Sequence, residues 1–147
     1  MGAEAADRSQ GFTRQLPALE PETTAFWTGG AEGRLRICRC QSCGRYAHPP
    51  VPVCPVCHGE VVAEAVSGKG KVKTFTVNHQ AWLPGMPVPF VFAAIELDEQ
   101  PELYVFSNVV GCPVDAVRSG MPVEVTFEQQ EDVFLPLFQP AGGRHGA

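Results

Sequence analysis

Cys40-Gln41-Ser42-Cys43 and Cys54-Pro55-Val56-Cys57, with ten residues between them, decide the fold of this 147-residue chain. Each CxxC pair presents two thiolates from one tight turn, and two such knuckles supply the four soft ligands of a tetrahedral zinc. With every position taken by sulfur, no coordination site is left for water or substrate, so the expected Zn2+ is structural and braces the chain without acting as a catalyst. Gly44 follows the first pair, where the backbone must turn with positive φ, while Pro55 stiffens the second turn and His58-Gly59 close it. A redox dithiol is the competing reading, but it needs only one CxxC and belongs beside a βαβ pattern that this sequence lacks.

Two cysteines fall outside the pairs. Cys38 makes a CxC spacing with Cys40 that breaks the symmetry of the knuckles, and it reads as a strand thiol. Cys112, in Val110-Gly111-Cys112-Pro113, has no neighbouring histidine or acid to activate it and reads as a small buried hydrophobe. With four thiolates placed, His48 and His58 are bystanders.

Working outward, Arg34-Leu35-Arg36-Ile37-Cys38 alternates as the first strand of a ribbon over 34–59. Its middle, His48-Pro49-Pro50-Val51-Pro52, lacks the donors of a central strand and must be a rigid connection. A short helical segment is expected over 19–33: Pro21-Glu22-Thr23-Thr24 start it, Phe26 and Trp27 lay its apolar face over ribbon or barrel, and Gly29-Gly30 end it. Residues 1–18 read as a flexible arm, or as a linker cut from a longer chain, and 141–147 as a tail.

From Glu60 the pattern turns to strands punctuated by turns. Glu60–Val66, Lys71–His79, Phe90–Leu97, Leu103–Val110, Val123–Gln129 and Val133–Phe138 read as strands, with a helical turn near Val114–Arg118. Ser67-Gly68-Lys69-Gly70 turns or bulges the first of these into the second, so the pair counts as one bent strand. The apolar parity slips between Val72 and Phe75, as a bulge in a bent barrel strand requires. The fold class is therefore mainly β: a short helix, a zinc ribbon and a five-stranded OB-fold barrel over 60–140.

The hydrophobic fraction of 44% suffices for a core. No apolar run reaches the roughly 18 residues of a membrane span, and Met1–Gln10 have no apolar export region. Reduced, metal-binding cysteines point to the cytoplasm. The net charge of −5 is unevenly spread: Arg34–Lys73 holds seven basic residues against two acids, whereas Thr74 onward holds two basic residues against nine. The basic stretch is the one place an anion is drawn to, but it lacks interleaved aromatics to stack bases, Tyr46 being the only Phe, Trp or Tyr between Arg34 and Lys73.

These residues carry a resemblance. Cys40-Gln-Ser-Cys43-Gly44, Pro49-Pro50, Cys54-Pro55-Val-Cys57, Thr74-Phe75-Thr76-Val77, Pro87-Val88-Pro89-Phe90, Ser107-Asn108-Val109 and Gly120-Met121-Pro122-Val123-Glu124-Val125, in this order and spacing, resemble the zinc-ribbon plus OB-fold family known as domain of unknown function thirty-five. The resemblance covers about Phe26 to Pro140 and implies an N-terminal helical piece, a rubredoxin-like ribbon and the barrel. It further implies association with acyl-CoA and with a thiolase-like partner of the lipid-transfer-protein type. In steroid degradation such a pair cleaves a side-chain β-hydroxyacyl-CoA by retro-aldol reaction, releasing propionyl-CoA.

The residues themselves assemble no catalytic set. A retro-aldol or thiolase step needs a base of tuned pKa and an oxyanion hole or a thiolate. Outside the ribbon the sequence offers His79 and His145, and neither a GxSxG nor a phosphate loop. Glu96, Asp98, Glu99 and Glu102 gather at one hairpin, where solvated turn residues are the ordinary explanation. The chemistry is thus expected from a partner, with this chain a non-catalytic component of an aldolase complex.

The loop Asn78–Phe90 sets Trp82, Leu83, Met86 and Phe90 among three prolines and a glycine, with His79 at its base. It either covers one barrel end or docks a partner or acyl-CoA. Two other functions stay open: a nucleic-acid-binding OB-fold module, disfavoured by the acidic barrel, and an independent acyl-CoA-binding protein or thioesterase, which needs a ligand pocket.

Overall fold

The computed structural model describes residues 15–142; the expected arm and tail fall mostly on residues 1–14 and 143–147, outside the described residues. Helix α1 (Thr24–Thr28) runs into a 3-10 turn, Gly29–Glu32. Strands β1 (Leu35–Cys40), β2 (Tyr46–Ala47) and β3 (Val61–Val66) form a three-stranded sheet in the order β2-β1-β3. Strands β4 (Lys69–Asn78), β5 (Phe90–Leu97), β6 (Tyr104–Val109), β7 (Pro122–Gln130) and β8 (Val133–Pro140) close a barrel in the order β4-β5-β6-β8-β7. A 3-10 turn at Val114–Ala116 links β6 to β7.

The allegiance of β3 differs from the sequence expectation, which ran it into the barrel. Instead, β3 pairs antiparallel with β1 over six positions, from Leu35↔Val66 to Cys40↔Val61. The knuckles explain this. Where the thiols converge, the Gln41 N–H donates to the Glu60 carbonyl (2.8 Å), so the chain leaving the second knuckle lies against the chain entering the first. Gly68, at φ +77°, then turns the backbone into the barrel, pressed so close that a Cβ there would meet Val125 Cγ1 at 2.5 Å.

The slip between Val72 and Phe75 is a β-bulge, where the β4–β5 register shifts between Val72 and Thr74. One apolar cluster serves both sheets: Phe26, Leu35 and Ile37 join Val72, Val91, Ile95, Leu97, Val105, Val123 and Phe138. Phe26 meets Trp27 edge to face at 4.7 Å and the His48 ring at 4.6 Å. Burial there pushes His48 down to about 4, so its imidazole packs uncharged. Cys112 packs against the same core, and burial pushes its thiol up. Cys38 is buried on β1 opposite Ala47 and Ala63, apart from the four paired cysteines.

The barrel closes sparingly. Between β6 and β8 the parallel ladder has one register pair, Val109↔Phe138, and Pro136 brings no N–H. The buried Ser107 hydroxyl spans the gap, donating to the Pro136 carbonyl at 2.6 Å.

The acidic hairpin between β5 and β6 does more than meet solvent. The Ser67 N–H donates to Glu99 Oε2 (2.8 Å), and the Gln100 side chain bonds both backbone groups of Tyr46, accepting from its N–H at 2.8 Å and donating to its carbonyl at 3.1 Å. Glu96 accepts from the Glu102 N–H (2.8 Å), which with Lys71 and Lys73 nearby holds its carboxyl below the usual range. The turn therefore clasps the ribbon sheet at Tyr46 and the link that leaves it at Ser67. Gln100→Leu leaves the Tyr46 N–H and carbonyl unpaired at the junction. It should lower stability by about 1–3 kcal/mol in thermal or urea melts, with bound zinc unchanged.

Candidate functional site

The sulfurs of Cys40, Cys43, Cys54 and Cys57 lie within 4.8 Å of one another. Cys40 Sγ is 3.4 Å from Cys57 Sγ, and Cys43 Sγ is 3.8 Å from Cys54 Sγ. A zinc tetrahedron with bonds of about 2.3 Å has edges of roughly 3.8 Å, so these spacings suit a shared metal and are far too long for a disulfide.

The two knuckles repeat one construction. Cys40 Sγ accepts from the Ser42 and Cys43 N–H groups (both 3.4 Å), and Cys54 Sγ from those of Val56 (3.4 Å) and Cys57 (3.5 Å). Gly44 and His58 close the turns by donating to the carbonyls of Cys40 (3.0 Å) and Cys54 (2.9 Å), at φ +80° and +63°. Gly59 abuts the first knuckle: a Cβ there would stand 2.9 Å from Cys40 Sγ and 2.8 Å from Ser42 Oγ. Outside, Arg39 holds the arrangement, donating from Nε to the Gly44 carbonyl (3.0 Å), pairing with Glu64 (3.5 Å) and lying 4.8 Å over the Tyr46 ring.

This geometry polarises the thiols. The Cys43 N–H leads the effects that lower Cys40 to about 6, and the Cys57 N–H leads those that lower Cys54. Cys57 goes the other way: the Gly59 N–H favours its thiolate, but the three neighbouring sulfurs together with desolvation outweigh it and push it up to about 12. Four crowded sulfurs cannot all ionise without a cation among them, and a divalent ion removes that conflict. The donor set is soft, complete and closed, which fits a structural zinc.

Of the loop residues singled out in the sequence, the structure brings His79 and Trp82 together with Thr76, Val77, Asn78 and Gln80 along a shallow, open cleft. Leu83, Met86 and Phe90 are not part of its lining. Leu83 and Met86 are half-buried within a turn closed by Met86 N–H to the Leu83 carbonyl (3.1 Å), and half-buried Phe90 begins β5. Sequence reasoning missed Phe92 and Phe106, whose stacked rings are exposed on the barrel wall. Their alternation with buried Val91, Ala93, Val105 and Ser107 was the signal that could have found them.

Comparison with known proteins bears on both halves. Residues 27–63 match the family model described as ChsH2, rubredoxin-like zinc ribbon domain, and residues 63–128 the one described as ChsH2, C-terminal OB-fold domain. The chain is 34% identical over 131 residues to a probable enoyl-CoA hydratase alpha subunit of Thermomonospora curvata, covering 87% of this chain and 40% of that one. It is also 34% identical over 125 residues to the 3-oxo-4,17-pregnadiene-20-carboxyl-CoA hydratase alpha subunit of Mycobacterium tuberculosis, covering 84% of this chain and 39% of that one. The chain thus spans about two fifths of the length of these curated relatives. It is similar, at 36% identity over 94 residues, to a DUF35 domain-containing scaffold protein of Methanocaldococcus jannaschii, with 62% of this chain and 65% of that one covered. Among solved structures, a chain of an "Ltp2-ChsH2(DUF35) aldolase" superposes with a TM-score of 0.77 at 31% identity, covering 86% of this chain and 99% of that one. With the ribbon, the barrel and this near-complete coverage agreeing, the chain belongs to the ChsH2 zinc-ribbon and OB-fold family, the DUF35 proteins.

Proposed function

We propose that this chain is a non-catalytic subunit that docks and supports a thiolase-like aldolase of the lipid-transfer-protein type. The observation that carries the reading is the 31% identity and 0.77 TM-score over 99% of the relative described as part of an Ltp2-ChsH2(DUF35) aldolase. The substrate class we assign is a steroid side-chain β-hydroxyacyl-CoA, cleaved by retro-aldol reaction with release of propionyl-CoA. The hydratase relative whose name specifies a pregnadiene-carboxyl-CoA supports that class. Chemically, carbon–carbon cleavage demands a base and an oxyanion donor held together in a dry pocket, and the partner supplies them.

Within this reading Cys40, Cys43, Cys54 and Cys57 hold zinc, and the metal's part is rigidity. It clamps β1 to β3 and so presents ribbon and barrel as one body. No helix among the described residues is long and apolar enough to cross a membrane. The reduced thiolates that the metal needs support a cytoplasmic site of action as part of this proposal.

Two measurements test these assignments. Cys54→Ser should lower zinc stoichiometry, read by elemental analysis, and reduce the soluble yield; a variant that retains one zinc per chain refutes the ligand set. The purified chain alone should show no turnover of a β-hydroxyacyl-CoA, while mixing it with an Ltp2-type subunit should raise that subunit's aldolase rate at least tenfold. Turnover by the lone chain, or an unchanged rate on mixing, refutes the function.

A further inference from the structure

We infer that the outer wall of β5 and β6, centred on Phe92 and Phe106 and continued by Trp82, is the face on which the thiolase-like subunit docks. The inference rests on the function proposed above and names the contact surface that function requires. Phe92 is 47% exposed and Phe106 64%, and their rings stack 6.1 Å apart at 12° between planes. Strand alternation puts them there: Val91 and Ala93 of β5 and Val105 and Ser107 of β6 are buried, so Phe92 and Phe106 between them face outward. Phe92 sits opposite Thr76 of β4, and Thr76 also lines the cleft with Trp82, which is 65% exposed. The wall and the loop above it are therefore one continuous surface, with exposed Val88 in the same loop.

Solvent-facing aromatic rings on a chain that already has a full core need a reason. At about 150–250 Å² for each aromatic side chain, the exposed parts of these three present roughly 250–450 Å². That is a third to a half of the roughly 800 Å² per partner of a standard protein interface, and it fits the aromatic centre of one.

Charge selects the occupant. In a chain that is 18% charged, neither Thr74–Ile95 nor Leu103–Val110 contains an Asp, Glu, Lys or Arg. Stacked rings on these barrel strands also match a base-stacking platform, but such a platform needs cations tracking the phosphates. At this wall's edge Lys71 is paired with Glu96 at 3.6 Å, and the sequence from Thr74 onward is acidic. An uncharged aromatic centre rimmed by Thr74, Thr76 and Asn108 suits a protein surface of matching apolar character.

The test is binding of the full chain to an Ltp2-type subunit by biolayer interferometry, with melting temperature and zinc content recorded for every variant. Phe92→Asn/Phe106→Asn should weaken binding at least 30-fold and Trp82→Ala about tenfold, while Val62→Asn on exposed β3 should leave it within twofold. Should the double variant fail to fold, Phe106→Asn alone decides, with at least a fivefold loss expected. If the unaltered chain does not bind the subunit, the proposed function falls; if it binds and the Phe variants bind within threefold of it, the docking face falls and the function stands. Oligonucleotide binding or self-association of the unaltered chain that the Phe substitutions abolish reassigns the face to a nucleic acid or to a second copy, and also overturns the inference.

Discussion

The convergence of four cysteine sulfurs is the constraint on which the rest of the structure depends. Two six-residue turns, each stitched by N–H groups aimed at a sulfur, present the thiols to one point. Because the chain enters that point through β1 and leaves it through β3, the metal centre dictates which strands lie side by side and in which register. The pairing of β1 with β3 then turns Leu35 and Ile37 into the barrel's own core, so a small ribbon that buries little by itself becomes part of a larger apolar cluster.

A second tie works from the opposite direction. The β5–β6 turn reaches back to Ser67 through Glu99 and to Tyr46 through Gln100, the latter bonding as a neighbouring strand would. Covalent path, shared core and clasp thus join ribbon to barrel three times. That suits the docking role proposed for the chain, since a partner held by two loosely connected pieces would meet an ensemble of surfaces and lose affinity to their ordering.

Much of this was legible from residue order. The CxxC spacing is local chemistry and announces itself; the parity slip at Val72–Phe75 located a bulge; the prolines of 48–52 excluded a central strand. What escaped depends on partners distant in sequence. Nothing around Glu60–Val66 says that its mate is β1 rather than a barrel strand, because alternation fixes a face and not a neighbour. Gln100 lies 54 residues from Tyr46, and a glutamine in a polar turn gives no hint of a specific bond. Phe92 and Phe106 were visible as aromatic strand residues, yet a phenylalanine in an apolar strand is read as core until the parity of its neighbours is followed through.

The thin seam between β6 and β8 has a consequence for how the molecule breathes. A single ladder rung and one hydroxyl bond close the cylinder there, so among the joins between barrel strands that is where the wall should part under mild stress. The aromatic patch rides on β4, β5 and β6, whose antiparallel meander is complete without the seam. Fluctuation at the join can therefore be absorbed by β7 and β8 while the three strands that carry the exposed rings keep their shape.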